Sequence, residues 1–199
     1  MAVKSWKRAQ VIGTREHLVE TAARLFGARG YAATPLEELV GEAGLTRGAV
    51  YHHFKDKQAL FGAVVDRVLQ DLVIAVEKRA MKRAARGGGA PEPAALDGFV
   101  EELAEPRVQR ILSIDGPAVL GEAHWSQLMR ARLLEPIERV LERGVQAGTL
   151  DPERVPALAR LLLGALREAA LAMGSGGDDA AELRSALRLL LERVLGAGR

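Results

Sequence analysis

Leu36–Phe54, LEELVGEAGLTRGAVYHHF, decides the fold. Two short helices are expected, Leu36–Ala43 and Arg47–Phe54, joined by Gly44-Leu45-Thr46. Gly44 permits a tight turn, and Thr46 is placed to cap the second helix. Leu39, Val40, Leu45, Val50 and Phe54 are positioned to pack the pair onto a preceding helix. That register leaves Arg47, Gly48, Tyr51 and His52 outward. Positions 47 and 51 are one helical turn apart, as are 48 and 52, so the four form one exposed strip. The spacing is that of a helix-turn-helix.

The flanking sequence supplies the supporting helices. Leu18, Ala22, Leu25 and Phe26 make one apolar stripe on a helix from about Thr14 to Ala28. Gly30 is placed to end that helix in a left-handed conformation. Thr34-Pro35-Leu36-Glu37 reads as a helix start, with Thr34 capping, Pro35 at the first helical position and Glu37 completing a capping box. Asp56 opens a long fourth helix whose inner side carries Leu60, Phe61, Val64, Val65, Val68, Leu72 and Val76.

The outward strip suits DNA. A recognition helix presents its N-terminal residues to base edges in the major groove. Arg47 can bridge O6 and N7 of guanine. Gly48 has no side chain, so the backbone can come close to a base. Tyr51 and His52 can donate to phosphates. Thr34, Thr46 and Lys57 sit at helix starts, where backbone N–H groups also favour phosphate. His53 lies about 100° round the helix from His52. It either reaches phosphate or packs at the junction with the fourth helix. Adjacent helical histidines diverge and no partner has ligand spacing, so no metal site is expected.

Composition narrows the class. The chain has 199 residues, 48% of them hydrophobic, and no cysteine, which excludes disulfides and thiolate metal sites. No run approaches the roughly 18 apolar residues that a membrane span needs, and MAVKSWKRAQ has no apolar leader, so a cytoplasmic location is expected. Residues 1–60 hold nine Lys/Arg against six Asp/Glu, while the remainder is close to neutral. The basic excess is N-terminal, which fits a polyanionic partner. Lys4, Lys7 and Arg8 are read as a disordered arm over residues 1–13, with direct DNA contact the alternative. No Walker loop, G-x-S-x-G or H-E-x-x-H is present, so neither enzymatic activity nor a cofactor is expected.

At this point a resemblance enters. Leu25–Val65 (LFGARGYAATPLEELVGEAGLTRGAVYHHFKDKQALFGAVV), and within it TRGAVYHHFKDKQAL, resembles the DNA-binding domain of the TetR family of transcriptional regulators. It implies that Arg47 and Gly48 contact bases. It also implies that Thr34, Thr46, Tyr51, His52, His53 and Lys57 contact phosphate. Asp115–Gly121 with Trp125 is similar to one subgroup of the family's ligand domains.

The rest of the chain also reads as helix. The Gly/Pro-rich stretch 84–98 reads as a loop, followed by helices near 96–105, 107–114, 117–121, 122–147, 156–173 and 179–195, with Pro136 a kink and Gly174–Gly177 a turn. The helix at 156–173 is apolar on two faces: Leu158, Leu161, Leu162, Ala165, Ala169 and Ala172 on one, Leu163, Leu166, Ala170 and Met173 on the other. The helix at 179–195 adds Leu183, Leu187, Leu190, Leu191 and Val194. Two such helices from each of two chains would make a four-helix dimer interface. Between residues 58 and 148, Val64, Val68, Leu72, Leu103, Ile111, Leu112, Leu128 and Met129 are candidates to line a cavity, with Gln109, His124 and Trp125 as its polar contacts. The alternative is a solid core. Few inner charges point to a mostly apolar, neutral effector.

The expected molecule is therefore all-α. A three-helix helix-turn-helix DNA-binding domain spans 1–57, and a helical ligand-binding and dimerisation domain spans 58–199. Its expected partners are a double-stranded operator, a second copy of the chain and a small-molecule effector.

Overall fold

Glycines and caps set where the first helices stop and start. In a computed structural model, which describes residues 2–85, 98–99, 101–174 and 180–195, every regular element is a helix. Helix α1 runs Ala2–Arg29 and ends at Gly30, whose φ of +84° is the left-handed conformation that glycine adopts freely. The expected disordered arm is instead the first part of α1. Helices α2 (Leu36–Glu42) and α3 (Arg47–His53) are joined through Gly44, at φ +63°. Thr46 caps α3, its Oγ1 accepting from the Ala49 N–H at 3.2 Å. Asp56 opens α4 (Lys57–Ala85) in the same way, accepting from the Ala59 N–H at 2.7 Å.

Thr34 departs from the expected cap. It is fully buried, and its hydroxyl donates to the Gly30 carbonyl at 2.8 Å. Pro35 takes the N-cap position of α2, which has no side-chain cap bond. The carbonyls at the end of α1 lack intrahelical partners, and Thr34 is spent on one of them.

Helical backbone over 98–99 and 101–104 leads to α5 (Pro106–Gln109), a π-helix (Arg110–Asp115) and α6 (Gly116–Leu120). The single helix expected near 107–114 is therefore widened into a π-turn. Helix α7 spans Glu122–Gln146 and continues through Pro136. A 3-10 turn (Pro152–Arg154) introduces α8 (Val155–Gly174), and α9 is Ala180–Leu195. Residues 86–97 of the expected loop and 175–177 of the expected turn lie outside the described residues. Among the described residues no helix is long and apolar enough to cross a membrane.

One core runs without a break from α1–α3 into the body, joining Leu18, Phe26, Leu39 and Val50 to Phe61, Val68, Leu112 and Trp125. A smaller cluster of Leu141, Val155, Ala159 and Leu162 ties α7 to α8. At the junction, Tyr31 packs against Phe26 and Phe61 with ring centroids 5.5 and 5.0 Å away. Lys57 Nζ lies 4.1 Å from the Tyr31 ring centroid and donates to the Tyr31 carbonyl at 2.6 Å. From the other side Asp115 Oδ2 accepts the Tyr31 backbone N–H at 2.7 Å. The α1–α2 turn is thus held by α4 and by the end of the π-helix together.

Candidate nucleic-acid interface

Val50 and Phe54 are buried and fix the rotation of α3. Arg47, Gly48, Tyr51 and His52 consequently all face solvent, in the register the sequence predicts. The Arg47 guanidinium lies 3.4 Å from Glu37 and 5.8 Å from the Tyr51 ring centroid. Hydrogen bonding to Tyr51, and beyond it the charges of Tyr51 and Glu37, pushes its pKa up, so it stays a cation. Exposed ion pairs of this kind are weak, and the side chain can leave Glu37 for a base edge. Nothing lies within 4 Å of where a Gly48 Cβ would stand. The free protein does not need glycine there for packing; a partner approaching the backbone would.

The other positions differ in availability. Thr46 is exposed, and its hydroxyl proton remains free to donate to a phosphate while the oxygen caps α3. His53 is half-buried against His52, with ring centroids 5.2 Å apart. Burial, then the charges of His52 and Arg15, lowers its pKa, which favours the neutral ring with one N–H donor. Lys57 is half-buried and has one donor on Tyr31, which leaves its other N–H groups for phosphate. Burial lowers its pKa, against the opposing pull of Asp115 and Glu37. Thr34 presents no hydroxyl to a phosphate, because that group is buried on Gly30.

Two cations on this face were not singled out from the sequence. Lys55 stands directly after α3 and is largely exposed, with only a loose pairing to Asp56 at 3.8 Å. Arg15 lies over the Phe54 ring, its Cζ 5.0 Å from the centroid. Lys55 was legible as a charge beside the motif. Arg15 is 32 residues before Arg47 in the chain and gives no local signal.

In the body, Val68, Leu72, Leu112, Trp125 and Met129 are buried in the shared core, with Leu128 partly buried against it. Gln109 is half-buried. His124 is corrected: it faces outward, its Cε1 3.7 Å from where a Cβ on Gly62 would stand. It precedes Trp125 by one residue, and the 100° step that buries Trp125 turns His124 away. Among the described residues no group of three or more His, Asp or Glu is arranged to hold a metal.

These features define an all-helical body carrying an N-terminal helix-turn-helix whose second helix presents an exposed strip headed by Arg47. Residues 18–64 match the model of bacterial regulatory proteins of the tetR family. Residues 93–197 match that of the tetracyclin repressor-like C-terminal domain. The chain is 47% identical over 64 residues to the HTH-type transcriptional regulator AcrR of Shigella flexneri, a stretch covering 32% of this chain and 29% of that protein. It is 25% identical over 195 residues to the A-factor receptor protein of Streptomyces griseus, covering 95% of this chain and 65% of that one. The chain thus spans less than two thirds of the length of either curated relative. A crystal structure of a TetR-family transcriptional regulator from Pectobacterium atrosepticum superposes with a TM-score of 0.76, at 32% identity and 93% coverage of both chains. The C-terminal match covers more than half of the sequence, and the chain belongs to the TetR family.

Proposed function

We propose that the protein is a transcriptional repressor that occupies a near-palindromic operator as a homodimer and leaves it when a small molecule binds the body. The exposed strip of Arg47, Gly48, Tyr51 and His52 on a rigidly seated α3 carries this reading. Arg47 and Gly48 read bases; Thr46, Tyr51, His52, His53, Lys57, Lys55 and Arg15 hold phosphates. Residues 1–57 form the DNA-binding part and 58–199 the regulatory part, and the protein works in the cytoplasm as a regulator and not as an enzyme.

Dimerisation is supported by large apolar side chains left in solvent on two helices that pack together. Leu161 of α8 is 70% exposed, and Leu189 and Leu190 of α9 are 56% and 44% exposed. Exposed leucines on two helices that pack together fit a four-helix interface. Selection of bound duplexes from random DNA tests the reading. The expected product is a site with two half-sites related by a dyad, their centres about one helical turn or a multiple of it apart. Recovery of no enriched sequence would contradict it.

A further inference from the structure

Four basic side chains, Arg15, His52, His53 and Lys55, stand around the C-terminal end of α3. Arg15 comes from α1 and lies over Phe54, the residue between His53 and Lys55. The His52 and His53 rings meet edge to face. Among the described residues no carboxylate pairs with Arg15, His52 or His53. The nearest acid along the chain, Asp56, caps α4 through the Ala59 N–H and pairs only loosely with Lys55. Other arginines of α1 and α4 do find acids: Arg24 holds Glu42, Arg29 holds Glu38 and Arg67 holds Asp71. The contrast marks the end of α3 as a place whose counterion comes from outside the chain.

Imidazoles are the side chains that change charge near neutral pH, and in this cluster His53 is the one held back from doing so. Its half-buried position, the neighbouring His52 and the Arg15 guanidinium all oppose a positive ring, and no acid acts on it in the other direction. An anion at contact distance reverses that balance by favouring the charged form. A cationic N–H also makes the stronger bond to phosphate. We propose that His53 takes up a proton when the protein closes on a DNA phosphate, so that lower pH tightens DNA binding. This rests on the reading of α3 as the DNA-facing helix and makes the proton a co-ligand at that contact. A phosphodiester keeps its single negative charge near neutral pH, so the proton goes onto the protein. The pKa of the bound ring lies above that of the free ring. The gain in affinity is therefore complete below the free-state pKa and is lost as pH rises through the bound-state pKa.

Calorimetric titration of the full chain with the selected operator duplex, in two buffers of different ionisation enthalpy near neutral pH, counts the protons taken up. Uptake on the order of one proton per dimer is expected. In parallel, affinity is measured at about pH 6 and about pH 8 at one ionic strength, and should be about tenfold higher at the lower pH. His53→Gln keeps an N–H donor and cannot titrate, so its ratio of affinities should fall towards one. His17→Gln removes an exposed histidine of α1 and should keep the parent's ratio. Equal heats in the two buffers, parent affinity that is flat in pH, a parent-like ratio in His53→Gln, or loss of the ratio in His17→Gln overturns the proposal. A duplex of random sequence separates this outcome from the operator reading, because phosphate contacts carry no sequence information. Preference for the operator without proton uptake removes the proton and keeps the operator. Proton uptake with equal affinity for both duplexes keeps the proton and removes sequence-specific repression.

Discussion

Gly48 separates stability from function at a single residue. Its backbone is helical and the space beyond it is open, so Gly48→Ala should stabilise α3 by about 0.5–1 kcal/mol. The same methyl would stand between the helix backbone and a base. A rise in melting temperature with weaker operator binding is expected; a rise with unchanged binding would remove Gly48 from the interface. Thr34 gives the opposite pattern. Thr34→Val keeps the shape and loses the bond to Gly30, which should cost about 1 kcal/mol of stability and leave operator affinity unchanged. Titrations on operator DNA with both folded variants check the pair, and weaker binding by Thr34→Val would return Thr34 to the phosphate contacts. The α3 strip was legible because i, i+4 spacing inside one short helix fixes which side chains share a face. Thr34 was not, because the Gly30 carbonyl, four residues back in the α1–α2 turn, competes with the cap for its hydroxyl. His124 was misplaced for a similar reason: an apolar stripe gives the face of a helix but not its edge to within one residue.

At the scale of elements, the π-helix is the piece that local sequence did not reveal. Arg110–Asp115 reads as ordinary helix by composition, and in the fold it packs against α1, α4 and α8. The last residue of the π-helix, Asp115, accepts the Tyr31 N–H at the α1–α2 turn. Helix α4 runs beside it from the DNA-binding part and is fixed to α7 by Arg132, whose Nε and Nη2 donate to Asp66 at 2.5 and 2.6 Å. Asp115→Ala should leave the half-buried Tyr31 N–H without its acceptor and cost about 1 kcal/mol. For a chain of this length that is a fall in melting temperature of about 2–4 °C. Asp115→Asn keeps an acceptor oxygen and should lose less. Equal melting of Asp115→Ala and the parent chain would show that this link carries no stability.

For the whole molecule, the question is what covers α8 and α9. Leucine periodicity alone made Leu187 and Leu190 equivalent. The structure separates them, since Leu187 is buried within the chain and Leu190 is exposed. A charge at Leu187 would therefore unfold the monomer before it reported on a dimer. Leu161→Glu with Leu190→Glu places charges where the single chain already meets water, so the fold should survive while association is lost. Sedimentation is expected to show folded monomers for the double variant and dimers for the parent chain. Dimers of unchanged stability in the variant would move the interface elsewhere.

The central claim is that this molecule reads DNA through α3. Titration of the selected operator duplex with the parent chain and with Arg47→Ala, each at two salt concentrations, tests it most directly. The parent should bind with a steep loss of affinity as salt rises, reflecting several neutralised phosphates. Arg47→Ala should bind roughly ten- to hundredfold more weakly, keep much of the salt dependence, and lose preference at one base pair of each half-site. Parent-like affinity and preference in Arg47→Ala, or binding insensitive to salt, would contradict the account.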